Sequence, residues 1–368
     1  MLRRAWIARC VTLIIPAMHL PSAWALYAGK TPEARTERTP EPVSGVSGEG
    51  KMRFKLLYNS EILPEVAKSV LVKAHGGFAV DRRQGKGETY FSLPGAGILR
   101  IAPDLRTVSV LPTADSMKAV NLHGTAIWVS PKDGEPFLAF PSDDAGKVFT
   151  TTLDGKLVDT LNAPTVTDTF EYPQIHEYFL AGGSFAPTAV AYFDGLYYVT
   201  TGYCDLDYVL TAGTNTNPFD ARWNDLAFGG KGDGPAEFNT AHGITAVPGT
   251  EEFDISDRAH GEIKRFTRYG HYLYGVKFPT GSLPCNIDYL GQYAVVAALD
   301  GPDPRKGAPI YILENGKLIS TTFPKDDLGL ENFKHIHNAV LRELNGKYYI
   351  IVQSWNPGGF AILEQVTG

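Results

Sequence analysis

The fold is decided by the stretch "GGKGDGPAEFNTAHGITAVPGTEEFDISDRAHGEIKRFTRYGHYL", residues 229–273. After a Gly-rich approach, "EFNTAHGITAV" leads into one short strand, and "EEFDISD", "GEIKRFT" and "HYLYGVKF" supply three more. Each strand alternates apolar and polar residues or is briefly apolar, and the junctions carry Gly, Asp or Pro. The stretch therefore predicts a four-stranded antiparallel sheet.

The same pattern recurs along the chain, which indicates a repeat architecture. Its other copies begin at "HGGFAVD" (75), "HGTAIWV" (123), "PTAVAYFDG" (187), "CNIDYLGQY" (285) and "HNAVLRELNG" (337), with starts 43 to 64 residues apart. That spacing is typical of propeller blades with loop insertions. We predict an all-β, NHL-like six-bladed β-propeller with four-stranded blades. The strand near "MRFKLLYN" (52–59) could pair with the last blade and close the ring.

The first residues are expected to be a signal peptide, residues 1–25. Three arginines precede the apolar stretch "CVTLIIPAM", and Ala23 and Ala25 stand at small-residue cleavage positions. Residues 26–51 are rich in Pro, Glu, Thr, Ser and Gly and read as a flexible leader, which leaves 52–368 for one propeller domain. We therefore expect a secreted or periplasmic protein without a membrane partner after signal removal.

The net charge and the cysteine count limit the classes of partner and the number of disulfides that are expected. A net charge of -6 argues against nucleic acid or an anionic membrane surface as the main partner. Once the signal peptide is removed, Cys204 and Cys285 are the remaining cysteines, and they could form one disulfide.

Histidines recur at one position of the repeat. The first strand of each blade lines the central channel, so equivalent positions form a ring around the axis. The ring reads His75, His123, Pro187, His242, Cys285 and His337. Neutral imidazoles are common ligands of zinc, copper and iron, which predicts one divalent metal on the axis. Alternatively, the "HG" pairs could simply cap blade strands.

Several segments resemble the peptidyl-α-hydroxyglycine α-amidating lyases, a propeller family with a zinc ion on three axial histidines. "NLHGTAI", "NTAHGITAV" and "HIHNAV" are similar to the three zinc-binding segments, which implies ligand roles for His123, His242 and His337. "DGLYYVTTGYC" is similar to the family's "DGYC" segment and implies that Tyr203 is catalytic. "SDRAHGEIKRF" is similar to "DRxxGRIxxF" and offers Arg258 as a site arginine.

The sequence departs from this family at several positions. His75 stands where the family has a first-blade arginine, and His335 replaces a methionine two residues before the last zinc histidine. The resemblance also implies a structural Ca ion, although Asn338 replaces the aspartate that is linked to that ion in the family. Cys204 matches half of a family disulfide whose other position is Phe185 here. These departures leave open whether His75 and His335 join the site.

Three functions follow as hypotheses. The first is an exported metal-dependent lyase, with zinc as the expected metal, that acts on a small-molecule or peptide-derived substrate. In it Tyr203 is the general base, its pKa lowered by the metal and Arg258. The second is an iron or copper oxygenase in which His75 and His335 extend the ligand set. The third is a propeller that binds a partner without catalysis.

Overall fold

The structure is a computed structural model that describes residues 45–216 and 219–366. The predicted signal peptide and most of the predicted leader, residues 26–44, lie outside the described residues. None of the helices within the described part of the chain is long and apolar enough to cross a membrane.

Six antiparallel sheets form the propeller, as the repeat predicts. Blade 1 contains β3 (Ala79–Val80), β4 (Thr89–Leu93), β5 (Gly97–Ile101) and β6 (Val108–Val110). Blade 2 contains β7 (Ala126–Val129), β8 (Pro136–Ser142), β9 (Lys147–Thr152) and β10 (Leu157–Asn162). Blade 3 contains β11 (Ala189–Phe193), β12 (Leu196–Thr200), β13 (Tyr208–Gly213) and β14 (Arg222–Gly229).

The remaining blades follow the same plan. Blade 4 contains β15 (Ala241–Ala246), β16 (Glu252–Asp257), β17 (Glu262–Thr267) and β18 (Tyr272–Lys277). Blade 5 contains β19 (Pro284–Leu290), β20 (Tyr293–Ala298), β21 (Ile310–Glu314) and β22 (Lys317–Thr322). Blade 6 contains β23 (His335–Leu344), β24 (Lys347–Trp355) and β25 (Gly359–Gln365), extended by two strands from the beginning of the described chain.

Those two strands close the ring. β2 (Met52–Asn59) pairs antiparallel with β25, and β1 (Ser47–Glu49) pairs with β2. The predicted role of the 52–59 strand in the last blade is thereby confirmed. The folded part also begins earlier than residue 52, because residues 47–49, expected in the leader, form the outermost strand.

Short helices lie in the connections between strands. They are α1 (Glu65–Lys68), α2 (Asp115–Lys118), α3 (Pro173–Leu180) and α4 (Pro324–Leu328), with 3-10 turns at Ser60–Ile62 and Leu71–Lys73. Proline at the first turn of α3 and α4 suits positions whose backbone N–H has no partner within the helix.

The hydrophobic core is divided among the blade interfaces. Six clusters of buried side chains in the described chain each join two neighbouring blades, including the pair brought together by ring closure. Between blades 3 and 4, for example, the rings of Tyr198 and Phe253 lie 4.2 Å apart and are almost fully buried. This packing fixes each innermost strand against its neighbours and so positions the residues at the axis.

Candidate metal centre on the propeller axis

The structure brings the four histidines of the ring position together. Neighbouring rings of His75, His123, His242 and His337 have centroids 4.4 to 4.9 Å apart. None is more than 8% exposed. Residues far apart in the sequence thus form one buried cluster, as the repeat register predicted; whether they bind a metal remains a prediction.

Three of these rings are anchored on the following blade through Nδ1. His123 donates to the Thr188 carbonyl at 2.7 Å and His242 to the Cys285 carbonyl at 2.8 Å. His337 contacts the Gly76 carbonyl at a longer 3.4 Å. A carbonyl oxygen only accepts hydrogen bonds, so Nδ1 carries the hydrogen and Nε2 keeps a lone pair. This is the tautomer in which Nε2 can bind a metal.

Glycine and backbone bulges make these anchors possible. A Cβ at Gly243, directly after His242, would lie 2.4 Å from the Cys285 oxygen that His242 contacts. The strand pairing also shifts register between Ala241 and Ile244, and again between Ile336 and Asn338. Bulges turn a side chain away from its regular direction. The "HG" pair therefore lets two blades approach closely enough for the histidine to reach a carbonyl.

Burial keeps the four imidazoles neutral. It lowers the pKa of His123 to about 3, although its bond to the Thr188 carbonyl opposes the shift. The pKa values of His75, His242 and His337 also lie well below the ordinary value, chiefly because burial disfavours the charged ring; the neighbouring histidines and the Arg258 cation add to the effect. At neutral pH the cluster therefore presents uncharged rings, the form that binds metals.

Two of the anchored rings face each other through their Nε2 atoms. His242 Nε2 and His337 Nε2 lie 3.2 Å apart. Because both rings carry their hydrogen on Nδ1, this contact opposes two lone pairs and contains no hydrogen to join them. A cation placed between such lone pairs would relieve the repulsion. The chemistry of the donor set thus fits a divalent metal.

Tyr203 and Arg258 join the same cluster. The Tyr203 hydroxyl lies 3.3 Å from Nε2 of both His123 and His242, and Arg258 donates to it at 3.1 Å. Burial raises the pKa of Tyr203, and Arg258 opposes the rise without overcoming it. The protein groups alone therefore do not produce the lowered pKa expected from the sequence, since desolvation outweighs one cation.

Arg258 and the preceding residue, Asp257, have different roles. Asp257 holds the blade turn: it accepts from the Asn239 N–H at 2.8 Å and contacts Lys264 and His260 at 2.8 and 2.7 Å. Asp257, His260 and Glu262 also lie close enough to suggest a second metal group. Lys264 already supplies the positive charge there, so that group is explained as an ion-pair network.

His335 stands apart from the histidine cluster. Its Nδ1 lies 2.9 Å from Asp300 Oδ1, and its ring packs on Trp355, which also contacts the ring of His75. Simple alternation would place His335 and His337 on one face. The bulge at His337 interrupts that alternation, and Trp355 contacts both His335 and His75.

Two polar residues that sequence reasoning missed complete the site. Asn121 Nδ2 lies 2.9 Å from His75 Nδ1 and 2.8 Å from Asp143 Oδ1. Burial, helped by the neighbouring Asp144, raises the pKa of Asp143 to about 6. Asn121 lies two residues before His123 in "NLHG", which is the one local signal that could have indicated it. Asp143 follows a strand in an ordinary turn and gives no such signal.

The cysteines do not form the suggested disulfide. Cys204 and Cys285 are both buried free thiols. Cys204 Sγ accepts a hydrogen bond from the Ala186 N–H at 3.0 Å, whereas the Cys285 backbone carbonyl anchors His242. Their roles in the fold are therefore separate.

Two cavities lie among the inner strands beside the histidines. A cavity of about 70 Å³ is lined by His123, His242 and His337 together with glycine, polar and apolar residues from the inner part of the blades. A larger cavity of about 440 Å³ shares part of this lining and includes Arg82 and Asp288, whose charged groups lie 2.6 Å apart. The smaller cavity thus places the three proposed ligand histidines beside inner-strand residues that also line the larger one.

Fold and site together define a six-bladed β-propeller with buried histidines on its axis. No protein-family model matches the sequence, and no curated protein matches it significantly. The structure is similar to a gluconolactonase from Xanthomonas campestris, with TM-score 0.51 and 12% identity over 89% of this chain and 99% of that chain.

Two further solved structures are similar. Virginiamycin B lyase from Staphylococcus aureus has TM-score 0.48 and 14% identity, over 85% of this chain and 100% of that chain. A luciferin-regenerating enzyme has TM-score 0.48 and 10% identity, over 82% and 94%. At these identities only the fold is supported, and the amidating-lyase resemblance remains a hypothesis resting on its motifs.

Proposed function

We propose that this protein is an exported metal-dependent lyase whose divalent metal, zinc in the first instance, is held by His123, His242 and His337. One observation supports this most: the Nε2 lone pairs of His242 and His337 face each other at 3.2 Å, with Nδ1 of each ring turned to a backbone carbonyl. Three histidines are the donor set of open catalytic zinc sites.

When bound, such a metal would polarise a hydroxyl or carbonyl oxygen of the substrate and stabilise negative charge developing there. Residues of the chain would accept and return the substrate proton. Arg258 donates to the Tyr203 oxygen at 3.1 Å, and together with the bound metal it would offset the burial that raises the Tyr203 pKa, so that the phenolate form could accept a substrate proton. Burial of these groups excludes bulk water and strengthens their electrostatic interactions.

The reaction class proposed is cleavage of a carbinolamide, R–CO–NH–CH(OH)–COO⁻. The Tyr203 phenolate takes the hydroxyl proton, the oxygen forms a C=O bond, and the C–N bond breaks. The same proton then passes to the amide nitrogen. The products are the amide R–CO–NH₂ and glyoxylate, so atoms and charge balance without an oxidant. This substrate class comes from the motif resemblance and is supported by the position of Tyr203 and Arg258.

Elemental analysis tests this function most directly. The full chain would be purified without chelator or nickel affinity steps, and its metal content would be measured alongside glyoxylate release from a peptidyl-α-hydroxyglycine. We expect about one zinc per chain and loss of both metal and activity in His242→Ala. His271→Ala, which changes an exposed histidine of blade 4, is the matched control. A chain that takes up no zinc, copper or iron would refute the metal-dependent proposal. The remaining hypothesis would then be a propeller that binds a partner without catalysis.

An iron or copper oxygenase is the second candidate. The observation that favours it is that ring nitrogens of His75, His123 and His337 lie within 4.8 Å of one another. His75 is therefore close enough to add a fourth imidazole to the three proposed ligands. Native iron or copper, with oxygen uptake during turnover, would support this alternative. Zinc as the metal of the active protein would exclude it, because zinc does not change oxidation state.

A further inference from the structure

The four histidines are not equivalent in their hydrogen bonds. Three turn Nδ1 to a backbone carbonyl, which fixes the hydrogen on that nitrogen. His75 instead turns Nδ1 to the side-chain amide of Asn121 at 2.9 Å. An amide can present either its NH₂ group or its oxygen, so the orientation of Asn121 decides the tautomer of His75.

Asp143 decides that orientation. Its Oδ1 lies 2.8 Å from the same Asn121 nitrogen that faces His75. A carboxylate oxygen requires a donor at this distance, so the Asn121 NH₂ group points at Asp143 and also donates to His75 Nδ1. If the amide were reversed, its oxygen would face the carboxylate oxygen. Asn121 Oδ1 is left buried and without a partner in the structure, a cost that the two donated bonds offset.

Asn121 further lies on the connection that carries His123. Its backbone N–H donates to the Asp144 carboxylate at 3.0 and 3.1 Å, which holds this connection on the turn after β8. The backbone of Asn121 is therefore held by the turn after β8, and its side-chain amide is held by Asp143 and His75.

We infer that Asn121 is a positioning residue that holds His75 in the Nε2–H tautomer and thereby keeps it out of the metal's ligand set. With Nδ1 accepting from Asn121 and Nε2 bearing hydrogen, neither nitrogen of His75 has a free lone pair. Proximity alone groups His75 with His123 and His337. The hydrogen bonds give a better assignment of the metal ligands than proximity does. They leave Nε2 able to bind a metal in His123, His242 and His337.

This inference rests on the proposed metal site and sharpens it. A three-histidine set leaves coordination positions open for an oxygen of the substrate, as in catalytic zinc sites. His75 then contributes a neutral N–H donor beside the metal ligands rather than a fourth ligand. That arrangement favours the lyase over an oxygenase built on four histidines.

Imidazole ¹⁵N NMR of the full chain, labelled in histidine, reads the tautomers directly. Spectra would be taken at neutral pH with and without a chelator, and single histidine-to-glutamine variants would assign the signals. We expect Nδ1–H for His123, His242 and His337 and Nε2–H for His75. An Nδ1–H tautomer for His75 would overturn the inference.

An exchanged pair supplies a stronger test. The double variant Asn121→Asp with Asp143→Asn keeps charge and size but reverses the hydrogen bonds, so the carboxylate introduced at position 121 would accept from His75 Nδ1–H. We expect the His75 signal to change to the Nδ1–H form and zinc affinity to rise by about tenfold as a fourth ligand is gained. Asp115→Asn, which makes the same change at an exposed position, is the control and should leave the His75 tautomer unchanged.

Metal content keeps the test decisive if the double variant fails to fold. His75→Gln should retain about one zinc per chain, whereas His242→Gln should lose it. Equal loss in the two variants would overturn the inference. A chain that binds no metal but shows the expected tautomers would uphold the role of Asn121 while refuting the proposed function.

Discussion

His242 in blade 4 donates its Nδ1 hydrogen to the backbone carbonyl of Cys285 in blade 5, at 2.8 Å. The histidine thereby ties two neighbouring blades at the axis and at the same time turns its Nε2 toward His337. Blades 2 and 6 use His123 and His337 in the same way toward blades 3 and 1. Ring packing and site geometry are consequently coupled.

Gly243→Ala tests this coupling. The new Cβ would lie 2.4 Å from the Cys285 oxygen, so the carbonyl that orients His242 must move. We expect zinc affinity to fall by about 10- to 100-fold, the usual effect of disturbing a group that orients a ligand. Competitive chelator titration measures it. Gly213→Ala, whose Cβ would lie 3.9 Å from the nearest atom, is the control, and equal effects at both positions would argue against the coupling.

Acid should destabilise the metal-free protein through its buried histidines. Their pKa values are lowered in the folded state, so between the ordinary value of about 6.5 and the folded value the unfolded chain binds protons that the folded chain does not. Stability is therefore retained above about pH 6.5 and lost as the pH falls toward the folded values. For one such histidine the slope is about 1.4 kcal/mol per pH unit.

His123→Gln isolates this contribution. In urea unfolding between pH 7 and pH 4, the variant should lose less stability on acidification than the native chain, by about 1.4 kcal/mol per pH unit. His271→Gln, at an exposed position, should keep the native slope. A His123→Gln slope equal to the native one would mean that His123 is not held neutral by burial.

Tyr203→Phe separates chemistry from metal binding. The substitution removes the hydroxyl that lies between His123, His242 and Arg258 but keeps the ring. We expect zinc content to be unchanged and kcat to fall by about 10²- to 10⁴-fold, the usual contribution of a general base. Tyr269→Phe, at a residue 58% exposed, serves as the control. Full activity in Tyr203→Phe would remove the tyrosine from the mechanism.

Ring closure by β2 predicts a large effect at Phe54. This side chain is fully buried between blades 5 and 6, and its strand pairs with β25. Phe54→Ala should lower the free energy of unfolding by about 3–5 kcal/mol, as for other buried phenylalanines. Arg53→Ala, exposed on the same strand, should change it by less than about 0.5 kcal/mol. Denaturant unfolding compares the two, and a small effect at Phe54 would show that β2 contributes little to closure.

The blades could be predicted because their signals are local. Strand alternation and the Gly, Asp and Pro junctions of residues 229–273 appear within one repeat, and the structure places strands at each of the four predicted segments. The 52–59 strand was predicted to close the ring because closure removes exposed sheet edges, and it pairs with β25 as expected. The missed strand at 47–49 is three residues long and lies in a segment of disorder-like composition, so its pairing depends on β2.

The site was predicted in part. The shared register of His75, His123, His242 and His337 follows from the repeat, since equivalent inner-strand positions meet at the axis. The place of His335 was not predictable, because the bulge at His337 depends on pairing with the neighbouring strand. Asp143 was missed because an aspartate in a turn is common, and its approach to Asn121 becomes visible only in three dimensions.

The sequence by itself determined the repeat, the number of blades and the ring of histidines, since each depends on spacing along the chain. Only the tertiary structure decided which nitrogen of each histidine carries hydrogen. That choice depends on partners in the next blade, such as the carbonyls of Thr188 and Cys285, or on the amide of Asn121. Hydrogen bonds between distant segments are set by ring closure and blade packing, so no local pattern could distinguish His75 from the other three.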